Sequence, residues 1–368
     1  MPKRWNQTRV ATALGIQYPI IQGPLGGFSS QRLTAAVSNF GGLGSFGGHS
    51  LEPQAITDRI AEIRSLTAKP FAMNLWVSME DPGAAASDAA AFHRALSHLA
   101  PHIEAVGGTQ PDFVPHKPIR FEDQARVLLD AKVPVFSFIY GIPPKEILDE
   151  ARKQNIVTLG TATTPDEAIA LEQAGVNLVV VSGFEAGGHR GSFLRSSEDS
   201  LTGTISLVPQ TVDAVKIPVI AAGGIADARG IAAAFALGAE GVQIGTSFLA
   251  CEESGAHPLH REAILSGKAG HTSLTRGFTG RLARGIHNRT CGILESTWYE
   301  GPSLSTPASA YAQSCFASSK GRQGRASCAV GRAKRESRAL PKRGRVIGFA
   351  CGRCGGEDQS LKLDQCQA

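Results

Sequence analysis

From Tyr18 to about Ala250 the chain alternates short apolar runs with helix-forming stretches, and it does so eight times over. The runs are Pro19–Gly23, Gly42–Phe46, Phe71–Val77, Pro134–Tyr140, Ile156–Gly160, Leu178–Ser182, Val219–Ala222 and Val242–Ile244. Most are short, rich in Val and Ile, and apolar at consecutive positions. A strand of that kind is buried on both faces, as in a parallel sheet lying under helices. Strand–helix alternation argues for βαβ units. Eight of them predict a (β/α)8 (TIM) barrel, and 368 residues suffice for one.

The connections carry helix signals. Thr164-Pro165-Asp166-Glu167 opens one helix with a capping hydroxyl, a proline in the first turn and early acids, and Gly175 stops it. Asp227 caps another, which ends near Gly238. The stretch 78–132 is long for one connection. It holds a helical part, Ala89–Leu99, and a loop bearing Pro and His, Thr109–Pro118, and is expected to form a lid inserted over the C-terminal mouth of the barrel.

Composition narrows the function classes. No apolar run reaches the roughly 18 residues that span a bilayer. The basic start Met1-Pro2-Lys3-Arg4-Trp5 has no apolar stretch behind it, so a cytoplasmic enzyme is the expectation. The net charge of +5 is unevenly placed: from Thr290 onward 12 Lys and Arg face 6 Asp and Glu, which leaves −1 for everything before. Six of the seven cysteines also lie at Cys291 or beyond. The basic part has little aromatic interleaving and no recognised motif, so no nucleic-acid partner is expected.

Chemistry-bearing residues gather where the strands end. Ile217-Pro218-Val219-Ile220-Ala221-Ala222-Gly223-Gly224-Ile225 puts two glycines between a strand and a helix start, and Gly241-Val242-Gln243-Ile244-Gly245-Thr246 repeats the arrangement one unit later. Loops after the seventh and eighth strands of such barrels commonly bind phosphate, because glycine admits the ligand to the backbone and helix N-terminal amides attract an anion. After the sixth strand comes Ser182-Gly183-Phe184-Glu185-Ala186-Gly187-Gly188-His189-Arg190-Gly191. A histidine at this face, flanked by glycines, can approach a bound planar ring and move a proton near neutral pH. Glu185 could orient the loop through backbone amides. Gln22-Gly23-Pro24-Leu25-Gly26-Gly27 ends the first strand with a flexible loop. Asn74 is a polar residue inside the third strand, and a buried Asn needs partners, from the backbone or from a ligand. Arg190, Arg281 and Arg284 could attract an anionic substrate or be solvated surface charges.

Together with Arg276-Gly277-Phe278-Thr279-Gly280-Arg281-Leu282-Ala283-Arg284, these segments resemble the nitronate monooxygenase family, formerly called 2-nitropropane dioxygenases, from about Ala13 to Arg289. The resemblance implies an FMN-dependent barrel that oxidises alkyl nitronates, and nitroalkanes, with O2 to a carbonyl compound and nitrite. It implies that His189 takes the α-proton of a nitroalkane, a step that an already ionised nitronate does not need. It further implies FMN contacts at Asn74, Gly187, Gly224 and Gln243 through Thr246. The expected cofactor site comprises Gly23, Pro24, Leu25, Asn74, Ser182, Gly187, Gly223, Gly224, Gln243, Ile244, Gly245 and Thr246, without a metal. Ser182 stands where the family often carries a Gln on the flavin. The alternative is an FMN- and NAD(P)H-dependent enoyl-thioester reductase of the same superfamily. A monomer or homodimer acting on small molecules is expected.

Past Arg289 the resemblance stops, which divides the chain into a barrel, 1–289, and an atypical tail, 290–368. The tail lacks sustained apolar periodicity and is expected to be largely disordered. Cys351-Gly352-Arg353-Cys354 is half of a zinc pattern with no second pair at suitable spacing. A single shift of reading frame between Arg289 and Ser303 would account for the break, and the codons actually used decide it. Taken one base on, Ser303 to Pro307 can encode Pro-Tyr-Pro-Leu-Gln, and Val330 to Ala339 can encode Trp-Ala-Gly-Gln-Ser-Ala-Ser-Leu-Ala-Arg. Both strings resemble the family's normal C-terminal region, in order.

Overall fold

The computed structural model describes residues 4–78, 89–105, 109–113, 119–276 and 279–288. Eight parallel strands form one sheet: β1 (Ile20–Gln22), β2 (Gly44–Gly47), β3 (Phe71–Trp76), β4 (Val135–Ile139), β5 (Val157–Ala162), β6 (Leu178–Ser182), β8 (Val219–Ala222) and β9 (Gly241–Ile244). Consecutive strands are neighbours throughout, and β1 pairs with β9. The ring closes between β1 and the approach to β2 through the parallel bridge Ile21–Leu43, with Gln22 N–H donating to Leu43 O at 2.9 Å. This is the (β/α)8 barrel expected from the alternation, and six of the eight strands differ from the expected runs only by a residue or two at their ends.

The period of two along each strand explains the core. In β3, Phe71, Met73 and Leu75 pack outward against the helical ring, while Ala72 faces the lumen. The lumen is filled at this level by Ile21, Leu43, Val135, Leu159, Val180 and Ile220, and plugged at its N-terminal end by Val10 and Leu14 of helix α1 (Arg9–Leu14). One step higher the lumen-facing positions turn polar. Asn74 of β3 is paired in register with Ser137 of β4, and Thr161, Ser182 and Gln243 have the same parity in β5, β6 and β9. The barrel is therefore apolar below and hydrogen-bonding above, at the end where its loops open.

Outside the strands lie α2 (Gln31–Phe40), α3 (Pro53–Leu66), α4 (Ala89–Ala105), α5 (Phe121–Asp130), α6 (Lys145–Lys153), α7 (Pro165–Gln173), α8 (Thr204–Ala214), α9 (Ala228–Ala236), α10 (Thr246–Leu249) and α11 (Pro258–Leu265). The caps act as their residue types dictate: the Thr164 hydroxyl accepts from Glu167 N–H, and Asp227 accepts from Arg229 N–H and Gly230 N–H. One expectation needs correction. Residues 121–130 do not belong to an insertion. They form α5, an amphipathic helix that packs on α3, α6 and β3 as an ordinary member of the ring. The inserted part shrinks to α4, which buries Phe92 and Ile103, and its flanking loops, which lie partly outside the described residues. The tail and its reading-frame account lie wholly outside them. Among the described residues no helix is long and apolar enough to cross a membrane.

A second sheet was not foreseen. β7 (Gly188–His189), β10 (Thr272–Thr275) and β11 (Ala283–Ile286) form an antiparallel trio in the order β10-β11-β7. It ties the loop after β6 to a hairpin about a hundred residues later in the chain.

Packing inside the ring is tight where α2 meets β2. A Cβ added at Gly44 would collide with the backbone carbonyl of Thr34, whereas one added at Gly27 would meet nothing within 4 Å. Gly44→Ala is expected to cost about 3 kcal/mol, the upper end for overpacking against backbone. Gly27→Ala should stay within about 0.5 kcal/mol, as is usual for substitutions without such contacts. Urea unfolding of both variants checks the contrast.

Candidate active site

Every residue assigned to the site from sequence lies at the C-terminal end of the barrel. Gly23, Pro24 and Leu25 follow β1, Asn74 is near the top of β3, Ser182 ends β6, Gly223 and Gly224 follow β8, and Gln243 to Thr246 run from β9 into α10. The loops touch one another. Gly23 N–H donates to Ile244 O at 2.8 Å, and a Cβ on Gly187 would stand 3.1 Å from the Thr246 hydroxyl. Gly223 and Gly224 have φ of 110° and 69°, a region that disfavours any side chain. Asn74 uses its amide on Ser137 Oγ at 3.0 Å, a partner not anticipated, and keeps its carbonyl and one N–H for other contacts. Ile244 is 1% exposed and part of the core, so only its backbone can face a ligand.

The loop after β6 is held from beneath by a buried cation. Arg190 is 1% exposed and donates to Gly183 O at 2.7 Å, Ser200 O at 2.9 Å and Ser182 O at 3.0 Å. Burial lowers its pKa, while the carboxylates of Glu167 and Glu185 favour the charge. Arg190 is thus a structural clamp, neither a surface charge nor an anchor for substrate. Arg284 is similarly engaged, with Nε on Phe184 O at 2.9 Å and its guanidinium over the Phe184 ring. Glu185 orients the loop, accepting from Thr204 N–H at 2.9 Å and Thr204 Oγ1 at 2.8 Å, where α8 begins.

With the loop fixed, β7 pairs with β11 by placing His189 opposite Ala283 and Gly188 opposite Arg284. Arg190 N–H donates to Leu282 O at 2.8 Å. His189 Nε2 lies 2.7 Å from Thr279 Oγ1. Its ring meets Trp76 edge-on at 5.1 Å, and Trp76 in turn meets Tyr140 at 4.9 Å. Arg281 is 8% exposed, covers the Tyr140 ring at 4.0 Å and the Trp76 ring at 5.4 Å, and donates to Ser78 O at 3.2 Å. It too is no solvated surface charge. Burial, and then the positive Arg281, push His189 down to a pKa of about 4. At neutral pH the imidazole is uncharged, with one ring nitrogen able to accept a proton. The arrangement suits proton abstraction from a small carbon acid held between an aromatic wall and a cation.

Several members of this cluster escaped the sequence reading. Trp76 could have been found, since it lies two residues beyond Asn74 and shares its lumen-facing parity. Tyr140 follows β4 with φ of 67°, and no sequence signal marks it. Thr279 reaches the site only through the unforeseen hairpin, as does Arg281, which the sequence left open between attraction of an anionic substrate and a surface charge. His49 stacks flat on Trp76, with centroids 3.9 Å apart and planes at 3°. A signal for it did exist: Gly47-Gly48-His49 repeats after β2 the tripeptide Gly187-Gly188-His189 that follows β6.

The comparisons with known proteins agree with this geometry. The chain is 43% identical over 298 residues to a probable nitronate monooxygenase of Staphylococcus aureus strain JH9, covering 81% of this chain and 82% of that one. Among solved structures it is similar to a nitroalkane oxidase of Streptomyces ansochromogenes, at 37% identity and a TM-score of 0.71, covering 83% of this chain and 84% of that one. It also resembles FabK of Thermotoga maritima, at 31% identity and a TM-score of 0.63, over 81% and 80%. The model of the nitronate monooxygenase family matches residues 7–334, past the point at which motif likeness stops. The neutral histidine at the barrel mouth, the paired glycine turns and this match over nearly the whole chain make the protein an oxidoreductase of the nitronate monooxygenase family.

Proposed function

We propose that the protein oxidises alkyl nitronates with FMN as cofactor and O2 as co-substrate, giving a carbonyl compound and nitrite, and that it accepts nitroalkanes after proton removal by His189. The observation that carries the reading is the neutral His189 imidazole fixed between Thr279 and the Trp76 wall.

The residues present suit a flavin mononucleotide. The first amides of α10 have no partner in their own helix, and with the Gly223-Gly224 turn they form a cradle for a terminal phosphate. A Cβ at Gly188 would meet nothing within 4 Å, and one at Gly245 would meet only Leu25 Cδ2, at 3.8 Å, so the glycines leave room above the barrel. The polar lumen positions Asn74, Ser182 and Gln243 offer hydrogen bonds to an isoalloxazine edge or a ribityl chain. When bound, FMN supplies the electron acceptor for the nitronate and the place at which O2 is consumed.

The chain's own task is to position the substrate and move one proton. A base needs one bare ring nitrogen. With Nε2 carrying its proton toward Thr279 Oγ1, 2.7 Å away, the lone pair on Nδ1 is left to take the α-proton. Proton transfer puts a negative charge on the substrate beside a new imidazolium. Arg281 lies close enough to favour that anion within an aromatic, weakly screening environment. The enoyl-thioester reductase remains the second reading because of the likeness to FabK, although identity and TM-score are both lower than for the nitroalkane oxidase. Oxygen-dependent nitrite release without NAD(P)H supports the first reading. NADH oxidation driven by an enoyl thioester supports the second.

His189→Asn should lose activity on nitroethane by about a hundredfold or more, the usual worth of a general base, while retaining most activity on ethylnitronate. Equal loss on both substrates would sink the proposed role. Thr279→Val removes the hydroxyl beside His189 Nε2 and should cut nitroalkane turnover about fivefold, the worth of one ordinary hydrogen bond, with nitronate turnover spared. The acid limb of kcat/KM for a nitroalkane should fall near pH 4 to 5, below the ordinary histidine range. His189 and His49 both have folded pKa values near 4, below the unfolded value, so the unfolded chain takes up their protons first as pH drops. Stability should therefore be fully present above pH 6.5 and decline from there toward pH 4. His189→Asn should lose less stability than wild type over that interval, as read from urea midpoints at pH 7.5 and 4.5.

A further inference from the structure

We infer that His49 is a substrate-binding residue: its Nε2–H donates a hydrogen bond to an oxygen of the bound nitronate or nitro group, beside the Trp76 ring that it shares with the proton-abstracting His189. The inference rests on the proposed nitronate chemistry and names the residue that reads the oxygen end of that substrate.

Placement is the first support. His49 follows β2 at the mouth of the barrel and lies flat on the Trp76 ring whose edge meets His189. Two imidazoles thus share one indole. The Cε1 edge of His49 approaches the loop after β1, where a Cβ added at Gly26 would stand 3.5 Å from it. Rigidity is the second. Gln124, 2% exposed, spends its amide on the carbonyls of Leu51 at 2.8 Å, His49 at 3.0 Å and Gly48 at 3.3 Å. Gly48 N–H donates to Asn74 O at 2.8 Å, and Leu51 N–H to Gly48 O at 3.0 Å. A solvent loop needs no such bracing, whereas a residue that must meet a small ligand at fixed range does.

The ring nitrogens supply the third support. Nδ1 of His49 is buried and has no hydrogen-bond partner among the described residues, whereas Nε2 is not one of the buried, unpartnered atoms. Orphaned buried N–H groups are rarer than under-satisfied acceptors. The tautomer with a bare Nδ1 and a protonated Nε2 is therefore favoured, which makes Nε2–H the ring's donor. Burial, with His189 and Arg281 nearby, keeps the ring uncharged, with a pKa near 4. A neutral donor next to Arg281 can bind an anionic oxygen without adding a third charge to the cluster.

The experiment uses the flavin-loaded full-length chain. Ethylnitronate is the substrate, and propionate, whose planar carboxylate matches a nitronate in shape and charge, is the unreactive probe. His49→Phe keeps a flat ring on Trp76 and removes the donor. His49→Gln keeps an N–H and serves as the second variant should the first fail to fold. His49→Phe is expected to raise KM for ethylnitronate and weaken propionate binding, measured by calorimetry, by about tenfold or more, the worth of a hydrogen bond to a charged group. Flavin content should be unchanged, and His49→Gln should recover part of the loss. Unchanged KM and propionate affinity in His49→Phe overturn the inference, as does loss of flavin with normal KM in the remaining loaded enzyme. Should wild type bind propionate through His49 yet release no nitrite from ethylnitronate, the site assignment stands and the nitronate reading fails.

Discussion

The closure of the sheet between Ile21 and Leu43 decides where everything else can be. An open parallel sheet would spread its strand ends along a line. A closed one gathers them in a ring, and side chains of one parity become a stack of layers inside it. Because the lower layer is Ala, Val, Leu and Ile, it excludes water and fixes strand heights. Because the next layer is Asn74, Ser137, Thr161, Ser182 and Gln243, the same geometry that builds the core also presents hydrogen-bonding groups at one level beneath the loops. The site is an upper storey of the core, continuous with it in register.

On that platform the loop after β6 has to be both close and stiff. Glycines bring its backbone close, but glycine alone gives no rigidity. Arg190 supplies it by bonding three backbone carbonyls, those of Gly183, Ser182 and Ser200, from a single buried side chain. The charge is tolerated because the carbonyl dipoles and two nearby carboxylates offset its desolvation. Above the clamp, a short antiparallel sheet fixes the direction of the His189 ring. Stiffness at the base and direction at the rim thus come from different parts of the chain.

The barrel was legible in the sequence because a strand buried on both faces leaves a local mark, a continuous Val- and Ile-rich run. The helix caps at Thr164 and Asp227 were legible for the same reason, since a cap is a contact over two or three residues. What could not be read depends on distant partners. β7 is two residues long and contains a glycine, so no periodicity can reveal it. The three arginines illustrate the limit: their identities point to the surface, and only the carbonyls and rings assembled around them turn Arg190 and Arg281 inward. α5 was taken into the insertion because no strand separates it from α4, although its amphipathic pattern is that of a ring helix. Of the site, the parts borne on strand ends could be placed in advance. Thr279 could not, as its contact with His189 depends on how two loops meet, and His49 left only the repeat of Gly-Gly-His after β2 as a mark.

The pairing of His189 with Ala283 has a consequence for the order in which the protein is made. All eight barrel strands have left the ribosome once Ile244 has emerged, so the ring can close on residues already synthesised. The base is then still unaligned, because the strand that pairs with it, Ala283–Ile286, lies some forty residues further along the chain than Ile244. A polypeptide released in that interval has a complete barrel and an unaligned histidine. Chemical competence thus follows the scaffold that carries it.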